Sequence, residues 1–443
     1  MKKIIAMALA VAIMLCVCGC KSSNDDTSSG YFDVEYQEIV VGGDETVDDT
    51  NNKTTQSGGA VNSNSKDNLQ KTDSSAFDSA NNTADTGIDY NADTGIDYNT
   101  VVEVDLCSDV VRSYLNATTA DKQYYWLSNY SGSGYDYQSL PLDWNFDGSS
   151  KYTAYISENA DFSNAYVIET AFLSIDNTML VPGKTYYWKV MGTVSDKPLG
   201  GGKIHTKDAP VRWVTIDGAK NVRDMGGWKT SNGKTVKYGM LYRGQNIDNI
   251  SDDGIKTIKQ LGLKTELDLR YESQKNQKQG TGMNYLFLKT EAQYDRIFDD
   301  YYADEVKTNY KKIFELLSDE SNYPFYTHCS AGADRTGTFA FLTNGLLGVS
   351  YEDLTRDFEL TSFSSSGKRW RGAGTGGTFA DNDLIMQEDN SNYVAWGKLY
   401  KRMMEYGAKN GCSTLPQSIE HYLVNYVGVP KSQIDSFKNI MLK

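Results

Sequence analysis

The stretch that most constrains this 443-residue chain is a short apolar run, Tyr323-Pro324-Phe325-Tyr326-Thr327-His328. It ends at Cys329-Ser330-Ala331-Gly332-Ala333-Asp334-Arg335-Thr336-Gly337. Residues 338–347 follow with the length and apolar content of a helix. A strand therefore runs into a tight loop, and the loop opens a helix. The backbone N–H groups of such a loop, together with the helix N-terminus, can converge on one anion. Arg335 completes a Cys-x5-Arg spacing and can grip two phosphate oxygens in a fork. The same positive field lowers the thiol pKa of Cys329, and the resulting thiolate can attack phosphorus. Ala331, Gly332 and Ala333 are small and let the backbone approach a ligand closely. Cys329 and Arg335 are thus the leading chemical residues, with Ser330, Ala331, Gly332, Ala333, Asp334 and Arg335 as the phosphate cradle.

Charge narrows the partners. Lys plus Arg number 44 and Asp plus Glu 58, a net −14. The excess sits in residues 21–100, with 4 basic and 16 acidic groups; residues 101–443 carry 38 and 42. No nucleic-acid partner is expected, because such a partner requires a basic face that releases phosphate counterions. The nearly neutral remainder still has room for a local anion site, and 31 Tyr and 7 Trp can fill a core. No apolar run reaches the ~18–20 residues of a membrane span.

Lys2 and Lys3 precede an apolar run from Ile4 to Val17 and then Cys18-Gly19-Cys20. This is the layout of an export signal. Its end resembles a bacterial lipoprotein lipobox, which implies residues 1–20 as signal peptide and Cys20 as the lipid-bearing residue. The expectation is an exported protein at a bacterial cell surface, anchored to the membrane by lipid. Residues 21–105 read as a disordered acidic linker, poor in large apolar residues. An eight-residue unit, ADTGIDYN, occurs twice in tandem at 84–91 and 92–99, too short for a solenoid.

Between 122 and 208, short aromatic and β-branched runs such as Tyr152-Thr153-Ala154-Tyr155-Ile156 and Tyr186-Tyr187-Trp188-Lys189-Val190 alternate with turn signals. That spacing predicts a β-sandwich. Leu180-Val181-Pro182-Gly183-Lys184-Thr185-Tyr186 resembles the fibronectin type III turn that leads into a tyrosine corner, with Trp144 as a core residue. Such a fold does not define a function; a spacer, or a module binding protein or sugar, both fit.

His-Cys-x-x-Gly-x-Asp-Arg-Thr-Gly between a strand and a helix resembles the cysteine-dependent protein tyrosine phosphatase superfamily. Asn221-Val222-Arg223-Asp224-Met225-Gly226-Gly227 is similar to the Asn-x-Arg-Asp-x-Gly-Gly opening of its bacterial tyrosine/lipid phosphatase subfamily. Gly239-Met240-Leu241-Tyr242-Arg243, Leu267-Asp268-Leu269-Arg270 and C-terminal helices near 415–427 and 431–442 extend the likeness over 211–443. The resemblance implies an α/β phosphatase fold, a mixed central sheet flanked by helices, and dephosphorylation through a phosphocysteine with no metal or other cofactor. Many relatives carry Lys where this chain has Ala333, which weakens an inositide reading. Lys368, Arg369 and Arg371, in a Gly-rich loop, could compensate by touching substrate.

The leaving group must be protonated, so a carboxylic acid must stand near the cradle. No Trp-Pro-Asp is present. Asp334 matches the aspartate in the subfamily's phosphate loops and is the first candidate acid, so Cys329, Asp334 and Arg335 form the implied catalytic set. Asp268, Asp299 and Asp300 are the alternatives. His328 is read as a tuner of Cys329 or a loop hydrogen-bond partner. The leading function is hydrolysis of phosphotyrosine-type monoesters, on a phosphorylated protein or a small phosphate monoester. An inositol polyphosphate or phosphoinositide phosphatase, or an adhesin that only binds phosphorylated ligands, are the alternatives.

Overall fold

Alternation decides the first sheet. In the computed structural model, which describes residues 96–134, 139–170, 175–176, 178–370 and 391–443, Tyr186, Trp188 and Val190 point inward while Thr185 is exposed. The elements of this half are β1 (Val101–Val104), α1 (Asp109–Asn116), α2 (Ala120–Asn129), β2 (Ser139–Leu140), β3 (Tyr152–Ser157), β4 (Tyr166–Thr170), β5 (Ile175–Asp176), β6 (Thr185–Met191) and β7 (Gly200–Thr206). Five of them form one sheet in the order β1-β7-β6-β3-β4, and β2 pairs with β5 in a second, two-stranded ladder. All pairs in the larger sheet are antiparallel except β1 with β7. Its core gathers Val104, Leu140, Tyr152, Ile156, Leu180, Tyr186, Trp188 and Ile204. Tyr186 is wholly buried, and its hydroxyl accepts the N–H of Val181 at 2.9 Å. Trp144 packs at the margin of this core, half-buried.

Two expected boundaries are corrected. The linker does not run to residue 105: β1 pairs with β7 from Val101 to Val104, because Val104 has a core to enter and β7 an edge to complete. Residues 122–129, at the start of the expected β domain, belong to the helix α2. Thr119 caps them by accepting the N–H of Lys122, and Ser108 caps α1 through Val111. The buried side chains of this helix pair, Val111, Tyr114 and Leu127, join the core of the C-terminal half instead. The signal segment, Cys20 and the linker up to residue 95 lie outside the described residues.

The second half runs β8 (Arg212–Trp213), β9 (Arg223–Asp224), β10 (Leu241–Gln245), α3 (Asp252–Gln260), β11 (Thr265–Asp268), β12 (Asn284–Phe287), α4 (Ala303–Leu317), β13 (Phe325–Cys329), α5 (Asp334–Leu347), α6 (Tyr351–Leu360), α7 (Ser391–Lys409), α8 (Leu415–His421) and α9 (Lys431–Met441). The sheet order is β12-β11-β13-β10-β9-β8. It is mixed: β10 to β13 are parallel and β8 and β9 antiparallel. β13 lies inside the sheet, buried at every residue, as a parallel strand covered on both faces is. α5 is apolar around its circumference and buried from Arg335 to Leu347, so it serves as the helix on which the others pack. Its last turn closes on Gly348 in the left-handed region. Ligands of such sheets bind beyond the carboxyl ends of the parallel strands. Cys329 ends β13 there, paired with Gln245 at the end of β10.

Candidate active site

The loop from Cys329 to Arg335 is shaped from outside, through its carbonyls. The Asn246 side-chain amide donates to Ser330 O at 3.1 Å, and that of Asn221 donates to Ala331 O at 3.1 Å. Arg243 donates to Gly332 O at 2.8 Å and to Ala333 O at 3.2 Å. Four consecutive carbonyls thus point outward. Among the described residues, the N–H groups of residues 330–333 donate to no protein acceptor. With the carbonyls turned out and the N–H groups unspent, the concave side of the loop is a nest for an anion. Gly332 makes the turn possible: its φ is +68°, and a Cβ there would stand 2.2 Å from Gly244 C.

The donors that hold the carbonyls are fixed in turn. Arg243 is fully buried and meets Asp357 Oδ2 at 2.5 Å, while Arg223, equally buried, reaches Asp357 Oδ1 at 2.8 Å. Arg223 also donates to Asn221 Oδ1 at 2.5 Å. Asp224 ties the same segment together: it accepts the N–H of Gly226 and Gly239 and pairs with Arg212 at 3.0 Å. The 221–227 segment and Arg243 therefore act by holding the loop. Asp357 and Asn246 complete this scaffold, and sequence reasoning missed both. A buried acid on α6 facing two arginines far away in sequence leaves no local pattern to find.

Cys329 is buried, 2% exposed. Burial raises its thiol pKa, but the Arg335 charge and hydrogen bonding from Thr336 outweigh burial and the opposing charge of Asp334, so the net shift is downward. The buried Thr336 hydroxyl has no hydrogen-bond partner among the described residues, so it can turn toward the sulfur. Arg335 is anchored at Leu269 O (3.3 Å) and Ser330 Oγ (3.2 Å), and its guanidinium lies 4.4 Å over the Tyr271 ring. His328, fully buried, contacts Glu266 Oε1 at 3.0 Å and the Cys329 carbonyl at 3.3 Å.

The candidate acids separate. Asp334 stands at the cradle, at the first turn of α5, where Tyr294 donates to Oδ1. Arg369 reaches Oδ1 at 2.6 Å and Oδ2 at 2.9 Å. Burial raises its pKa, yet the Arg369 hydrogen bonds and charge, the Tyr294 hydroxyl and Arg335 bring it below the usual value. Asp268 is spent elsewhere. It is fully buried and accepts from Arg270 at three nitrogens and from Tyr285 at 2.8 Å, and Arg270 is locked further onto Asp248. Asp299 pairs with Arg402 on α7 at 2.7 Å, and Asp300 is exposed; no described contact joins either to the loop. Of the basic loop, Lys368 lies over Trp370, and Arg371 is outside the described residues. A cavity of about 440 Å³ lined by Cys412, Glu420, His421 and Lys431 holds no cradle residue. Among the described residues no cluster of three acidic, His or Cys side chains could hold a metal, and Cys107, Cys329 and Cys412 are free thiols.

Comparison with known proteins adds to this geometry. A family described as "Tyrosine phosphatase family" matches residues 214–443. A Cupriavidus necator protein provisionally named a tyrosine-protein phosphatase is 26% identical over 168 residues, 33% of this chain. The chain spans 61% of that relative's length. The core catalytic domain of the PP-IP phosphatase SIW14 of S. cerevisiae, solved with citrate, aligns over 39% of this chain and 88% of its own, with 17% identity and a TM-score of 0.22.

Proposed function

From a chain that belongs to the tyrosine phosphatase family, we propose a cysteine-dependent phosphatase that hydrolyses phosphotyrosine-type monoesters through a phosphocysteine. The observation that carries this reading is the outward turn of four successive loop carbonyls, which leaves N–H groups, Arg335 and the Cys329 thiolate to one ligand. The N–H groups and Arg335 hold the three non-bridging phosphate oxygens as charge develops on them. The thiolate attacks phosphorus; an S–P bond forms as the P–O bond to the leaving group breaks. Asp334 gives its proton to that oxygen and, as carboxylate, then takes one from the water that attacks phosphorus. The S–P bond breaks, and orthophosphate and thiolate are released.

The burial of Cys329 supports an aryl ester: a phenyl ring carries its phosphate farther from the peptide chain than a serine or threonine side chain does. In the same reading the chain is an exported lipoprotein, anchored at Cys20, whose β1–β7 sheet is a fibronectin type III-like module. The test is turnover of matched phosphotyrosine, phosphoserine and phosphothreonine peptides, with inositol hexakisphosphate and phosphoinositides alongside. Phosphotyrosine should exceed the other two peptides in kcat/KM by at least about a hundredfold, some 2.7 kcal/mol. Equal rates on the three peptides, or faster release from the inositols, would overturn the substrate assignment.

A further inference from the structure

Asp334, the acid of the proposed reaction, is not free to act in the empty site. Both of its oxygens accept from Arg369, and Oδ1 also accepts from Tyr294. A carboxyl group that must carry a proton to a leaving oxygen is here bound as a carboxylate by a guanidinium fork. The arrangement is built. Tyr294 is buried and holds φ at +56°, a strained value for a bulky residue, while its N–H donates to Thr338 Oγ1 at 2.7 Å. Arg369 is fixed by its own N–H to Ser362 Oγ at 2.8 Å. α6 and the turn that follows it are braced by α1, α2 and the turn after α2. Tyr114 donates to Glu359 at 2.7 Å, and the N–H groups of Gly132 and Gly134 donate to Ser362 O and Phe363 O. Tyr124 meets Trp370 edge-on at 6.1 Å.

We propose that Arg369 is a second phosphate-gripping guanidinium, held on Asp334 in the empty site and passed to the substrate phosphate in the complex. This rests on the phosphatase reading above. In the empty site the charges balance: Arg335 faces the Cys329 thiolate and Arg369 faces Asp334. A phosphate dianion adds two negative charges among them. Moving Arg369 to a phosphate oxygen and protonating Asp334 from solvent both relieve that excess, and the two moves are coupled, since Asp334 takes up a solvent proton once it loses the fork. Among the described residues, the groups facing Asp334 are Arg369 from the segment after α6, Tyr294 from the 3-10 turn Tyr294–Phe298, Arg335 on its own helix and Cys329 from β13. Tyr294 is kept protonated by burial and by the Asp334 charge, so it stays a donor, and Arg369 is the member that moves. The same fork explains how the loop works with Ala333, a residue that offers no charge of its own.

The test reads Asp334 directly, by NMR titration of the aspartate side-chain carboxyl carbons in the intact protein, with and without saturating orthophosphate. Without phosphate, Arg369→Met should raise the Asp334 midpoint by about one pH unit or more. Orthophosphate should raise the wild-type midpoint by at least as much. Orthophosphate affinity and KM for an aryl phosphate should each weaken about tenfold in Arg369→Met, with Arg369→Lys recovering part of the affinity but not the fork. A wild-type midpoint that stays low with phosphate bound, or Arg369→Met with unchanged phosphate affinity, would leave Arg369 as a fixed structural partner and overturn the proposal. If the Met variant does not fold, Arg369→Lys alone is read by the same two criteria. Failure of the phosphatase reading looks different: the titrations proceed as described while the wild-type protein turns nothing over.

Discussion

The cradle and the β1–β7 sheet are held by opposite means. The sheet rests on apolar packing around Tyr152, Tyr186 and Trp188, and its ion pairs, Lys151–Glu169 and Lys184–Glu158, stand in solvent, where such pairs contribute little. The cradle rests on charges taken out of water: Arg223, Arg243 and Asp357 are each at most 6% exposed. Buried pairs cost desolvation that their attraction barely offsets, so they are a poor way to stabilise a fold. They are a good way to fix where backbone dipoles point, because a guanidinium on a carbonyl leaves the peptide one orientation. The chain uses the costly device where orientation is the function and the cheap one where it is not.

The largest effect that would break this contrast lies inside the cradle. Asp334→Asn should lower turnover by roughly 10²–10⁴-fold on an alkyl phosphate, whose leaving group needs a proton, and much less on an activated aryl phosphate. Asp268→Asn should show no such dependence on the leaving group, since Asp268 is committed to Arg270 and Tyr285. A selective loss at Asp268 instead would transfer the acid role to it.

Next in size is the scaffold behind the loop. Asp357→Asn leaves two guanidiniums, Arg223 and Arg243, without their shared anion in the interior, and should cost about 3–5 kcal/mol in unfolding free energy and lower turnover as well. Burial alone would raise the pKa of Asp357, but Arg223 and Arg243 bring it below the ordinary value. A carboxyl depressed in the folded state stabilises above its unfolded pKa of about 3.9 and loses that contribution as pH falls through the folded value. Wild-type stability should therefore drop below about pH 4, and Asp357→Asn should show a shallower drop, read by thermal unfolding across pH 2–6. A variant with unchanged stability and slope would mean that the pair does not fix the loop.

The smallest effect sharpens the contrast from the other side. Tyr186→Phe removes one hydroxyl and its bond from Val181, and should cost about 1 kcal/mol with kcat and KM unchanged. A change in turnover would show that the sheet and the cradle are coupled.

What the sequence discloses follows the same division. Cys329, Gly332 and Arg335 are legible because strand, turn and helix are local and the anion site lies within a few residues of itself. Strand alternation around Tyr186 is legible for the same reason. Arg369 on Asp334, Asp357 between two arginines, and Asn246 on the loop are not legible, since each contact joins residues that only the sheet order brings together. Asp268 is different: its motif is local and so is its hold on Arg270 two residues on, while the Tyr285 hydroxyl reaches it from a neighbouring strand. The α1–α2 pair lies between β1 and β2 in sequence and packs with the other half, which no local pattern announces.

The central claim is that Cys329 carries the phosphoryl group. It is tested most directly by acid-quenching the protein within milliseconds of mixing with an aryl phosphate and mapping bound phosphate by mass spectrometry. The account predicts a burst of phosphate on the peptide containing Cys329, larger in Asp334→Asn if release of the intermediate slows, and absent in Cys329→Ser, which should retain less than about 1% of turnover. Phosphate found on another residue, or turnover in Cys329→Ser near the wild-type rate, would contradict it.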